Sequence, residues 1–411
     1  MSLLAAKKVG NILTGDTFQL SNMAKKAKEK HSDVVNSTVG ALYDDQHHFL
    51  EYKTVTNIIK KLPIESHYAY APTSGGEPFN NYIKKWVFQK HQSVIENAFH
   101  HDVVATPGAT GALYNTFVNY LDESDTVILP SIFWTNYLVM LGQIGAKHLT
   151  YPMFDGDAFN FDGFVEATKK VLLTKNKIVA LFNDPAHNPT GYSMTPSEWE
   201  RIYKYMNKLA NSGVDVIIIY DLAYIDYEGA SFKESRKSFI ALKKIASDML
   251  VIFAFSGSKS FSLYGLRVGA QIAISKSEAH IKDFKKASIY SARATWSCPP
   301  STGIYLVNNL FSSDSLTKRF IKELNVSREM LKRRVDLFLQ EAEEVGLPTY
   351  PYRGGFFITI PTKKPDQMFD LLAENKHLYT IPVDFGVRLA ISSIPYDEIA
   401  GMAKKIKEVL I

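Results

Sequence analysis

Short apolar runs separated by helical stretches limit how this chain can fold. Runs at 126–129, 147–151, 177–183, 214–220, 250–255 and 268–274 are rich in Ile, Val and Leu at neighbouring as well as alternate positions. A strand with apolar side chains on both faces must be covered on both, as in a mostly parallel sheet layered by helices. Helical periodicity near 135–144, 163–174, 196–211, 235–247 and 277–290 supplies the covering. His101–Ala105 reads as a further short strand, from which Thr106-Pro107-Gly108-Ala109-Thr110-Gly111 turns into a helix running to about Tyr120.

The pattern changes beyond Pro299-Pro300. Helical periodicity dominates from about 302 to 344, and its Thr317–Glu344 portion is long enough to bridge two lobes. A strand at Gly355–Ile360, a helix near 366–375, short strands around 379–382 and 387–392 and a terminal helix from Tyr396 make a smaller α+β unit. The expected division is a large domain of residues 51–310 and a small one of residues 1–50 with 311–411.

Several function classes are excluded early. The net charge of +5 is mild, and the basic near-runs Lys25-Lys26-Ala27-Lys28 and Lys404-Lys405-Ile406-Lys407 read as solvated helix faces, so no nucleic-acid partner is expected. No stretch approaches the ~18 apolar residues of a membrane span, and no metal site is expected. The single Cys298 rules out a disulfide framework and favours a reducing, cytoplasmic setting. Its apolar surroundings, Trp296 to Pro300, suggest a packed thiol.

Chemistry concentrates in Ser256-Gly257-Ser258-Lys259-Ser260, which follows the buried run Leu250–Phe255 and leads into Tyr264-Gly265-Leu266-Arg267-Val268-Gly269. A Lys at the end of a buried strand is unusual, because desolvation lowers its pKa and makes it nucleophilic toward carbonyls. The hydroxyls and Arg267 offer donors to an anionic group nearby. Amine plus anion site suggests a Schiff base to a phosphorylated aldehyde, namely pyridoxal 5'-phosphate. An ordinary solvated loop lysine is the other fate of such a residue.

Five further stretches make chemical sense if gathered around one ligand at strand ends. Gly108-Ala109-Thr110-Gly111 opens a helix whose free N–H groups and dipole favour a phosphate, unless it is a plain Gly-rich cap. Asn188, in His187-Asn188-Pro189-Thr190-Gly191, could donate to a phenolate oxygen, although Asn-Pro is also common in turns. Asp221 ends the buried run Val216–Tyr220, where a carboxylate needs a cation or several donors. A pyridine nitrogen would serve, with Tyr224 able to reach the ring's 3-oxygen, and a helix N-cap is the bland alternative. Trp134 could stack on a flat ring or simply fill core. Arg293 and Arg388 remain; Arg388 sits on an apolar strand, where a guanidinium calls for a bound carboxylate or an internal Asp or Glu.

Taken together, Asn188, Asp221 and Lys259 in that order, with the glycine turn upstream and Arg388 downstream, resemble the fold-type I pyridoxal-phosphate enzymes of class I, most closely aspartate aminotransferase. Asn36 through Gly40, Tyr70-Ala71-Pro72 with Gly75-Gly76, and Asp221-x-Ala223-Tyr224 belong to the same pattern, which spans about Val35 to Ala390. The resemblance implies a seven-stranded-type sheet in the large domain and a homodimer. It implies that Lys259 forms the Schiff base and moves the substrate proton, that Asp221 pairs with the pyridinium nitrogen, and that Asn188 and Tyr224 contact the 3-oxygen. Gly108, Ala109, Thr110, Ser256, Ser258 and Arg267 would line the phosphate site, with Tyr70 reaching it from the neighbouring subunit, and Trp134 would stack on the ring. Arg388 would grip the substrate α-carboxylate beneath a lid containing Gly40. Arg293 would bind a distal carboxylate across the interface.

The expected reaction is therefore ping-pong transfer of an amino group from aspartate, or another acidic or aromatic amino acid, to 2-oxoglutarate. A carbon–sulfur lyase or aminocyclopropane-carboxylate-synthase-like enzyme on the same scaffold would not require Arg293. A non-catalytic cofactor-binding regulator is a third reading, and a nucleotide-binding protein would want a full Gly-x-Gly-x-x-Gly that the chain lacks. Three positions depart from the pattern: Tyr137 where close relatives have His, Gly108 in place of a common Ser, and Leu266 where a polar residue is usual.

Overall fold

The computed structural model describes residues 3–4, 17–229, 231–232 and 234–410. Residues 1–2 and 5–16, at the start of the segment assigned above to the small domain, lie outside the described residues.

A seven-stranded sheet organises the molecule, in the spatial order His100–Pro107, Val268–Ser275, Leu250–Ser256, Asp215–Asp221, Lys177–Asn183, Thr126–Pro130, Lys147–Tyr151. The five strands from Leu250–Ser256 to Lys147–Tyr151 pair in parallel. Val268–Ser275 runs antiparallel to both of its neighbours. Each central strand feeds two cores, as its unbroken apolar sequence requires. Val251, Phe253 and Phe255 pack into one, while Leu250, Ile252 and Ala254 pack into the other. The helices Phe161–Leu172 and Pro196–Asn211 cover the first face through Phe164, Trp199, Ile202 and Met206. Gly108–Tyr120, Asn136–Ile144 and Glu278–Thr295 cover the second through Leu113, Phe117, Leu141 and Phe284.

Register places strand ends side by side. Asn183 pairs with Asp221 and Asp221 with Ala254, while Ser256 pairs with Gly269 and Pro107 with Val268. The parallel strands thus deliver their carboxyl ends to one edge. The single antiparallel strand begins at that edge, directly after Arg267.

The chain's two ends are joined. Val35–Asn36 pairs in parallel with Leu378–Tyr379, beside an antiparallel sheet of Phe357–Pro361, Gly386–Ala390 and Ile381–Val383. Asp314–Glu344 is one helix of 31 residues, roughly 46 Å long at the usual rise. It starts earlier than expected and is separate from Ser301–Ser312, because Ser313 leaves helical geometry and its side chain accepts from Leu316 N. The helix carries Arg334 fully buried, donating to the carbonyls of Tyr43 and Ser392 and to Asp45.

One expected α-helix takes another form. Within 235–247 the chain forms a 3-10 helix, Lys237–Lys244, entered through Arg236 at φ +66. Arg236 is drawn inward: its guanidinium, 1 % exposed, meets Asp226 at 2.5 Å and donates to the carbonyls of Trp86 and Val87. Removing one partner of such a buried pair strands the other charge. Arg236→Ala is therefore expected to lower the unfolding free energy by about 3–5 kcal/mol, measured by denaturant titration; a loss below ~1 kcal/mol would refute the ascribed role.

Candidate active site

The helix Gly108–Tyr120 starts at the sheet edge and no side chain caps it, so its first-turn N–H groups remain available to an anion. Gly108 is in the left-handed region at φ +74, and a Cβ there would stand 2.5 Å from the Arg267 guanidinium. A Cβ on Gly269 would strike the Gly108 backbone at 2.4 Å. Gly269 is thus forced by close approach to backbone, and Gly108 is favoured by its left-handed φ. Arg267, itself at φ +53, donates to Ser258 Oγ at 3.0 Å and to the Tyr264 carbonyl at 2.9 Å. Ser256 Oγ accepts from Ser258 N. Ala109 is buried and Thr110 half-buried on the same first turn. Leu266 packs its apolar side chain against the core, where a polar residue would gain nothing.

Lys259 lies in the short helix Gly257–Ser260, with its ammonium 5.2 Å from the Tyr224 ring centre. Burial pushes its pKa down to about 8, against the opposing pull of Asp221 and with help from Arg267 and Arg388. It is a desolvated amine, not a solvated loop lysine.

Asp221 is buried and does not act as a simple helix cap. Its Oδ1 accepts from Ala223 N at 3.0 Å and its Oδ2 from the Tyr137 hydroxyl at 2.7 Å. Burial raises its pKa, while Tyr137, the Ala223 N–H and Lys259 pull it back. Burial also holds the Tyr137 phenol well above its ordinary pKa, so it remains a neutral donor. Trp134, half-buried, stands edge-on to Tyr137 with ring centres 5.4 Å apart. Tyr224 is buried and packs edge-on against Phe357.

At the other end of the cleft Arg388 is 6 % exposed. It donates to Asn188 Oδ1 at 3.2 Å and to the Thr38 carbonyl at 2.6 Å, and its Nε has no partner. The guanidinium lies 4.4 Å from the Phe357 ring centre, and a Cβ on Gly40 would meet that same ring at 2.4 Å. Burial lowers the Arg388 pKa to about 10, which leaves it charged at neutral pH. Among the described residues no carboxylate forms an ion pair with Arg388 or Arg267, so the internal Asp or Glu weighed above is not the answer for Arg388.

Three contributors escaped the sequence reading. Asn183 accepts from Asn188 N at 2.6 Å and donates to the Asp221 carbonyl at 2.9 Å, locking two site strands together. Thr38 supplies the carbonyl that aims Arg388, and Phe357 supplies its apolar floor. Only Asn183, one residue before Asp184-Pro185 at a strand end, had a local signal. Two expected residues stay outside the cleft. Tyr70 is 89 % exposed, and Arg293 is exposed, hydrogen-bonded to Ser297 Oγ at 2.7 Å. Cys298 is half-buried beside Arg293 and Thr73 instead of fully packed, because it follows a turn with Ser297 at φ +65.

The donor set suits pyridoxal 5'-phosphate. An uncapped helix start with Arg267 and two serines would take the phosphate, Lys259 the aldehyde, and Asp221 the ring nitrogen. The Arg388 Nε remains for a substrate carboxylate.

The sequence description for "Aminotransferase class I and II" matches residues 32–406. A solved aminotransferase from Anaerococcus prevotii is 30 % identical, with a TM-score of 0.93 and 99 % of each chain covered. An aromatic-amino-acid aminotransferase from Burkholderia pseudomallei, covalently bound to pyridoxal phosphate, superposes with a TM-score of 0.80 at 21 % identity, covering 99 % of this chain and 100 % of the other. Aspartate aminotransferase of Escherichia coli is 27 % identical over 67 % of this chain and 68 % of its own.

Two outcomes follow from the geometry. The rate at which the cofactor-free chain captures the aldehyde should rise with pH through about 8 and level off above, as the Lys259 amine loses its proton; absorbance stopped-flow reads this, and a rise continuing to pH 10 would contradict it. Tyr137→Phe leaves Asp221 Oδ2 buried without its donor, a loss of about 1–3 kcal/mol, seen as roughly 10- to 100-fold weaker cofactor binding in equilibrium dialysis. Unchanged affinity would show that the hydroxyl does not support Asp221.

Proposed function

The chain belongs to the class I and II aminotransferases, and from that premise we propose that it is a pyridoxal-phosphate enzyme moving the amino group of an acidic amino acid, aspartate foremost, to 2-oxoglutarate. The observation that carries the reading is the pairing of a buried Arg388, which has no carboxylate partner among the described residues, with an amine whose pKa is about 8 in the same cleft. When bound, pyridoxal phosphate supplies an aldehyde carbon and a protonated pyridine ring that accepts the electron pair released at the substrate's Cα.

The chain's own residues do the rest. Gly108, Ala109, Thr110, Ser256, Ser258 and Arg267 hold the phosphate by backbone and side-chain donors. Asp221 keeps a proton on the ring nitrogen, because its buried charge is offset by that partner and fixed by Tyr137. Asn188 and Tyr224 would hold the ring's 3-oxygen, and Trp134 would supply an aromatic surface for the ring. Arg388 takes the α-carboxylate through its fork, orienting the Cα–H bond toward Lys259. The Lys259 Nζ would serve as the general base that takes that proton and as the acid that gives it back. Phe357 and the segment at Gly40 keep water from the carboxylate subsite.

The specificity reading rests on Arg293 and a second copy of the chain. Arg293 and Tyr70 sit on stretches tied together by Thr73 Oγ1 near Cys298 Sγ and by Ser301 Oγ donating to the Ser66 carbonyl. Ile64, Tyr68 and Tyr290 are exposed there as well, as suits a face covered by a homodimer partner. In that assembly Arg293 reaches the partner's cleft and binds a distal carboxylate, and Tyr70 reaches the phosphate. On the same reading, the described parts of residues 1–50 and 311–411 belong to the small domain and those of 51–310 to the large.

A donor screen with 2-oxoglutarate tests the proposal. Arg388→Ala should reduce kcat/KM for every donor by about 10²- to 10³-fold, the scale expected on losing one partner of a buried charge pair. Arg293→Ala should raise KM for aspartate at least about tenfold and leave an aromatic donor unaffected. Unchanged aspartate kinetics in that variant would overturn the dicarboxylate assignment.

A further inference from the structure

Metal-ligating side chains meet at one place that the cleft does not use. His31 and Asp33 follow the helix Thr17–Lys28, and His377 closes the helix Pro365–Lys376 at φ +51. Val35 N donates to the His377 carbonyl at 2.9 Å, and Val35 pairs with Leu378, so the two backbones are fixed against each other. His377 Nδ1 lies 2.9 Å from both oxygens of Asp33. The His31 and His377 rings stand 4.4 Å apart at 30°. One donor atom from each of the three residues lies within 4.8 Å of the other two.

We propose that His31, Asp33 and His377 form a binding site for a transition-metal dication of the Zn2+, Co2+ or Ni2+ class, clipping the N-terminal segment to the strand Leu378–Tyr379. Two imidazole nitrogens and one carboxylate oxygen are a donor set these ions take, with a fourth position left for water. Donors around such an ion, bound at about 2.0–2.2 Å, are closer together than they are here. His31 and Asp33 are exposed and His377 half-buried, so the side chains can close while the paired backbone stays still. A simple Asp33–His377 ion pair would need only one imidazole. The second, His31, has no hydrogen-bond partner for its ring among the described residues and still converges on the same carboxylate. Asp33 feels first its hydrogen bond with His377 and last the charge of Lys405, which opposes binding.

The site is linked to the cleft by a short run of chain. Val35–Asn36 leads directly to Thr38, whose carbonyl aims Arg388. A bound ion would thus brace the segment that positions the substrate-gripping arginine.

Titration of the full-length, cofactor-loaded protein with Co2+ tests the site. One equivalent per chain should give the visible ligand-field bands of a four-coordinate ion, and saturating Zn2+ should raise the unfolding midpoint by roughly 2 °C or more. His31→Ala and Asp33→Asn should each abolish the bands, and Lys405→Ala should tighten binding severalfold. All of these are surface substitutions outside the catalytic cleft, and they should leave metal-free transamination unchanged. Absence of the bands, or bands and midpoint shift retained in a His31→Ala/His377→Asn double variant, would overturn the proposal.

Discussion

Burying a cation without a carboxylate is costly, and among the described residues this is the case at Arg388, while Arg267 also has none at the other end of the same cleft. Arg388 is held by one amide oxygen and one carbonyl, and Arg267 by a serine hydroxyl and a carbonyl. Neither set neutralises the guanidinium. The cleft therefore keeps a standing electrostatic demand for two anions, and Lys259 stands between with its amine already partly discharged by burial. Such a site favours any ligand that carries a phosphate at one end and draws in a substrate carboxylate at the other.

The sheet explains why these groups meet. Parallel strands can deliver residues to one edge only at their carboxyl ends, which accounts for Asn183, Asp221 and Ser256. The glycine turn after Pro107 comes from a strand running in the same sense. Arg267 comes before its strand, so it can reach the same edge only if that strand runs the other way. The one antiparallel strand, Val268–Ser275, thus has a chemical reason: it brings the arginine against the helix start at Gly108, where two glycines let the backbones touch.

Much of this was legible in the sequence, since strand runs apolar on both faces, a lysine and an aspartate at their ends and a glycine turn are local signals. The helices and short strands after Pro300 were also visible, although Ser313 divides the helical stretch where periodicity alone did not. What stayed hidden depends on contacts across long separations. Thr38 and Arg388 are 350 positions apart, and nothing local marks Thr38 as the residue that aims the guanidinium. Phe357 looks like any core aromatic until the guanidinium is seen above it. The 3-10 turn at Lys237–Lys244 follows from Arg236 being pulled inward by Asp226, a tertiary pull that overrides helical periodicity. Tyr70 and Arg293 were readable only by resemblance, because a single chain leaves both on its surface.

The long helix Asp314–Glu344 is tied through other residues to both halves of the cleft. Ser327 Oγ bonds the Tyr52 hydroxyl, which bonds that of Tyr227, which donates to the Lys259 carbonyl. Two turns further on, Arg334 holds the carbonyls of Tyr43 and Ser392, close along the chain to the segment at Gly40 and the strand of Arg388. The helix thus works as a ruler between the amine and the carboxylate grip. Adding a single residue between Ser327 and Arg334 would swing one anchor by roughly 100° and slide it about 1.5 Å relative to the other. The spacing of those two positions is consequently a dimension of the active site, although neither side chain touches a ligand.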